Sequence, residues 1–120
     1  MLLKDVALVQ PFQAGDNSEL RELLHPDRDA AELRYSLACA VVKPGRKTLQ
    51  HRLGSAEVYY IVFGTGTMHV GDESTQVHAG HCVYIPPGEA QWIENTGRID
   101  LAFLCIVDPP WSETNEELLE

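Results

Sequence analysis

The chain is punctuated too often to form long helices. Its 120 residues include 9 Gly and 7 Pro. Most of them fall in turn-forming clusters: Pro44-Gly45, Gly64-Thr65-Gly66, Gly71-Asp72, Ala79-Gly80, Pro86-Pro87-Gly88, Asn95-Thr96-Gly97 and Asp108-Pro109-Pro110. Gly supplies positive φ, and Pro locks φ and removes a backbone donor. Between these clusters lie short runs rich in Val, Ile, Tyr and Phe. They predict strands at 34–43, 47–53, 56–63, 66–71, 74–78, 82–85, 90–95 and 99–107. So many short strands in one small chain imply an all-β sandwich or barrel. Residues 16–24 are locally ambiguous. Asp16 and Glu19 resemble a capping box, Leu20, Leu23 and Leu24 share a helical face, and Pro26 would end a helix there.

Charge excludes several partners. Acids number 18 and bases 9, a net charge of −9, which argues against nucleic acid or an anionic membrane surface as the main partner. After Arg98 there is no further Lys or Arg, while Asp100, Asp108, Glu113, Glu116, Glu117 and Glu120 all follow. The acidic end (109–120) reads as a solvated tail after N-terminal strands in 1–32 and a core at 33–108, together one domain over 1–120. No apolar stretch approaches the ~20 residues that span a bilayer, and the N-terminus lacks an apolar leader segment. A cytoplasmic protein is the expectation. Cys39, Cys82 and Cys105 are odd in number, far apart and set in apolar runs, which predicts buried free thiols.

Two stretches have a defined spacing. The first is Gly45-x5-His51-x-Leu53-x3-Glu57-x6-Gly64, and the second is Gly80-x5-Pro86-x-Gly88-x2-Gln91-x3-Asn95. Together they resemble the two motifs of the cupin superfamily, G-x5-H-x-H-x3,4-E-x6-G and G-x5-P-x-G-x2-H-x3-N. The 15 residues between Gly64 and Gly80 are similar to the short linker of small cupins. The resemblance implies a double-stranded β-helix, or jelly-roll barrel, and it favours a strand over a helix at 17–24. Strand alternation then turns His51 and Leu53 inward, with Glu57, Tyr59 and Ile61 on the next strand and Gln91 and Ile93 opposite. Leu53, Ile61 and Ile93 are expected to line a pocket. Arg52 and Trp92 should point away from it, and Trp111 should cap the barrel end or a subunit interface.

In metal-binding cupins the two His and the Glu of the first motif and the His of the second form the metal site. This chain keeps His51 and Glu57 but has Leu53 and Gln91 at the other two positions. Leu cannot ligate, and a neutral carboxamide is a weaker donor than imidazole. The resemblance therefore implies at most a weak divalent-metal site (Zn, Ni, Fe or Mn) on His51, Glu57 and Gln91. His51 reads equally well as a structural residue bonded to Glu57. The histidines at 78 and 81 read as surface loop residues, His69 faces outward, and the place of His25 relative to the pocket is not legible.

Three functions fit these residues. One is a small-molecule-binding protein or enzyme with a weakly held metal. Another is metal-free acid–base catalysis of the isomerase or epimerase kind, with His51, Glu57 and Tyr59 as catalytic groups. The third is a non-catalytic module for a sugar or other small ligand. A homodimer is also expected, through an apolar outer stripe of Tyr60, Val62 and Trp92.

Overall fold

The computed structural model describes residues 1–120. Eleven strands run in the order β1 Phe12–Gln13, β2 Glu19–Leu24, β3 Ser36–Val42, β4 His51–Leu53, β5 Ala56–Phe63, β6 Thr65–Val70, β7 Glu73–His78, β8 Cys82–Ile85, β9 Gln91–Asn95, β10 Leu101–Asp108 and β11 Glu116–Leu118. Single 3-10 turns lie at Val6–Leu8 and Glu113–Asn115. One sheet has the order β1-β2-β3-β10-β5-β8, the other β11-β4-β9-β6-β7. Every strand pairing is antiparallel. The two sheets form a double-stranded β-helix barrel.

Alternation along the strands builds the core. In β10, Leu101, Phe103, Cys105 and Val107 are buried, and the residues between them are not. In β5, Glu57, Tyr59 and Ile61 turn inward and Tyr60 is exposed. Met68, Val77 and Ile93 close the apolar interior from the facing sheet, and Ile85 of β8 completes it beside β5. Glycine is required between β5 and β6. Gly64 has φ +88°, and a Cβ there would overlap the carbonyl of Asp100.

The ambiguous segment settles as a strand. Its pairing with β3, Leu20 opposite Ala40, outweighs the local helix signals because sheet pairing satisfies its backbone. The predicted strand at 47–53 shortens to β4, with Lys47 making only an isolated bridge to Glu94.

Three expectations are corrected. The acidic end is docked rather than freely solvated: β11 pairs with β4 (Glu117 opposite Arg52), and Leu119 N–H donates to the Gln50 carbonyl at 2.8 Å. The cysteines are all free, but only Cys105 is buried; Cys39 is half-buried and Cys82 is exposed. Each sits in an apolar run, yet odd and even positions of a strand face opposite ways, so the run alone does not bury the thiol. Finally, Trp92 does not share a stripe with Tyr60 and Val62. It lies on β9 in the other sheet, stacked on His69 with ring centroids 4.2 Å apart.

Candidate functional site

A cavity of about 430 Å³ opens between the sheets at the end of the barrel where β1, β4 and the C-terminal segment meet. Its volume suits a small organic molecule. Apolar walls come from Phe12, Leu20, Leu53, Phe103 and Trp111. The polar wall is formed by Asp16, His51, Glu57, Tyr59 and Glu116.

Each polar group is held by a different part of the chain. Glu57 is carried inward by β5 and is 6% exposed. Its Oε1 is buried without a hydrogen-bond partner. Burial pushes its pKa from 4.5 up to about 8, the carboxylates of Asp16 and Glu116 add to the rise, and Gln91 offsets part of it. Glu57 is therefore a neutral acid at pH 7, since desolvation penalises its charged form.

His51 makes no bond to Glu57. Its Nδ1 lies 2.7 Å from the Leu49 carbonyl. A carbonyl only accepts, so Nδ1 carries a proton, and in the neutral ring the lone pair lies on Nε2. That nitrogen lies 3.8 Å from Asp16 Oδ2. An imidazolium formed by protonation at Nε2 would thus meet a carboxylate. Asp16 is itself fixed by Ser18, whose N–H and hydroxyl donate to Oδ1 at 3.0 and 2.7 Å.

Tyr59 is wholly buried, and its hydroxyl donates to Gln91 Oε1 at 3.1 Å. Burial, with Glu57 nearby, holds its pKa well above the ordinary value of 10.0. Its proton is engaged and hard to remove, an arrangement in which the hydroxyl orients Gln91. The remaining predicted lining residues divide. Leu53 faces the cavity. Ile61 and Ile93 are 0% exposed and belong to the apolar core rather than the cavity wall.

The donor set does not fit a transition metal. No group of three or more His, Cys, Asp or Glu is arranged to hold one. The Gln91 carbonyl oxygen accepts from Tyr59, and Leu53 offers no donor where a second imidazole would stand. His25 fills no gap. It is buried, its Nδ1 accepts from Asp27 N–H, and its Nε2 bonds the Trp111 carbonyl at 2.8 Å. It pins the Trp111 backbone behind the cavity.

Asp16, Glu116 and Trp111 were not legible as site residues. Trp111 Nε1–H donates to Glu116 Oε2 at 2.7 Å, tying the two residues of the C-terminal segment together at the cavity wall. Arg52 points outward, as alternation requires, and is paired with Glu117. His69 lies on the outer side with Glu94 3.4 Å away. His78 ends β7 and His81 lies in the turn before β8, their rings 3.8 Å apart.

Fold and cavity together define a small jelly-roll barrel with a ligand-sized interior. Residues 38–107 match the family described as "Cupin domain", and the chain belongs to that family. An uncharacterized protein of Methanocaldococcus jannaschii is 42% identical over 113 residues, covering 93% of this chain and 90% of that protein. An oxalate-binding protein of Thermotoga maritima is 37% identical over 65 residues, 53% of this chain and 54% of that protein. The crystal structure of a predicted oxalate decarboxylase from Thermotoga maritima superposes with a TM-score of 0.80 at 26% identity, covering 90% of this chain and 99% of that one. No helix is long and apolar enough to cross a membrane.

Proposed function

We propose that this cupin binds a small molecule in its barrel cavity and acts without a resident transition metal. The observation that carries this reading is Glu57. A buried carboxyl without a partner on one oxygen is costly unless a ligand completes it, and this one faces a cavity of about 430 Å³. The experiment is a titration of small alcohols, amines and carboxylates into isotope-labelled protein, followed by amide chemical shifts. Shifts gathered at Gly15, Asp16, His51 and Glu57 are expected. Shifts confined to the outer faces, or none, would reject the site.

Acid–base catalysis is favoured as a second reading by the tautomer of His51. Its Nε2 lone pair and the neutral Glu57 carboxyl border one cavity, so one group accepts a proton where the other donates. On this reading, Glu57→Gln and His51→Gln each slow solvent–deuterium exchange into a bound carbonyl compound by ~100-fold or more. Equal rates in the variants and the parent would remove it.

The same reading has the chain pair with a second copy. Tyr60, Val62 and Tyr84 are exposed on the outer face of the six-stranded sheet, an apolar surface of the kind partners cover. Three free thiols accord with a reducing, cytoplasmic setting.

A further inference from the structure

The charges that face Glu57 point to the kind of molecule the cavity accepts. Asp16 approaches from the loop before β2 and Glu116 from β11, and both act electrostatically on Glu57. His51, Tyr59 and Cys105 face the same space from β4, β5 and β10. Arg28 is the one permanently charged cation on the wall, and it is taken up by Glu22, with Nη2 at 2.6 Å from Oε2. Asp16 and Glu116 are left without a permanent cationic partner. An anion entering here meets two carboxylates and a third carboxyl that would ionise only at further cost. A cation meets three acceptors, one of which has an oxygen without a hydrogen-bond partner. The same cavity is lined by the aromatic rings of Phe12, Phe103 and Trp111, surfaces that attract cations and apolar groups alike.

We propose that the cavity takes a small organic ammonium ion, its charged end held by Asp16, Glu57 and Glu116 and its apolar end by Phe12, Phe103 and Trp111. The inference rests on the proposed small-molecule site and adds the ligand class. It also sets this chain apart from the oxalate-binding relative, because a dianion is the least suited occupant of such a wall.

The test uses three probes of nearly one shape: benzylamine, benzyl alcohol and benzoate, with oxalate as a fourth. Affinities are measured by calorimetry and by amide shifts on the full chain. Benzylamine is expected to bind at least about tenfold more tightly than benzyl alcohol, as for a hydrogen bond to a charged group, with benzoate and oxalate weakest. In Asp16→Asn and Glu57→Gln, each checked for native amide dispersion, the preference for amine over alcohol should shrink severalfold while alcohol binding is retained. Alcohol or benzoate bound as tightly as the amine, with shifts at the cavity, would overturn the ammonium assignment and leave the small-molecule site standing. An amine preference unchanged in both variants would overturn it too. No binding of any probe at millimolar concentration would overturn both.

Discussion

Glu57→Gln is expected to reverse its effect on stability with pH. The side chain is buried, and its pKa in the folded protein is about 8 against an ordinary value of 4.5. The sign follows from proton linkage. Between those values the native state holds the proton and the unfolded state has released it, so stability falls as pH rises. Each pH unit in that window costs about 1.4 kcal/mol. Across the whole window the loss is of order 5 kcal/mol, fully present above about pH 8 and absent below about pH 4.5. Gln has nearly the same shape and no charge to desolvate. At pH 4 the variant should differ from the parent by only about 1 kcal/mol, the scale of one altered hydrogen bond. At pH 9 it should be the more stable protein by several kcal/mol, a large part of the 5–15 kcal/mol typical of a domain, as an order-of-magnitude comparison. Urea unfolding of both proteins from pH 4 to 9 measures the difference curve. Other titrating groups are shared by parent and variant and drop out of it. A difference that stays constant over this range would mean that Glu57 ionises as it does in water, and both the ligand argument and the proton-transfer argument would lose their basis.

The thiols should react in order of exposure. A thiol reagent is expected to modify Cys82 rapidly and Cys39 slowly, with Cys105 reached only on unfolding, because burial raises the Cys39 pKa and holds that of Cys105 well above its usual value; simultaneous modification of all three would contradict the strand alternation described. Introducing Leu53→His and Gln91→His together places imidazoles at two buried, inward-facing positions beside His51. Calorimetry should then show Ni²⁺ or Zn²⁺ held at least about tenfold more tightly than by the parent, and equal affinity would mean that these three positions do not converge. Tyr60→Asp puts a charge on the exposed apolar face of β5; light scattering should shift from dimer to monomer, and an unchanged mass would place the contact elsewhere.

The strands were legible because each carries its own signal: alternation that a facing core must satisfy, bounded by Gly and Pro. The inward set on β4, β5 and β9 followed from parity once the resemblance to the cupin motifs had placed the strands, and that resemblance showed the loss of two ligand positions. Parity says which way a side chain points, however, and not how deep it lies. That is why Ile61 and Ile93 proved to be core and Leu53 cavity wall. The missing half of the site has a different cause. Asp16 is brought to His51 by the Leu49 N–H donating to the Asp16 carbonyl at 2.7 Å, a contact between two loops that no local pattern announces. Glu116 reaches the cavity only because β11 adds to the edge of β4. A run of acids scores as solvated on composition, and only the docked backbone reveals that one of them turns inward. One signal was present in the chain: Trp111 lies five residues before Glu116, and an indole N–H in a partly buried place needs an acceptor. These two acids, separated by almost the whole chain, add to the burial that keeps Glu57 protonated, and on the proposed reading they set the sign of the charge the cavity favours. The family motif supplies the barrel and one buried carboxyl, and the segments outside the motif decide what that carboxyl can receive.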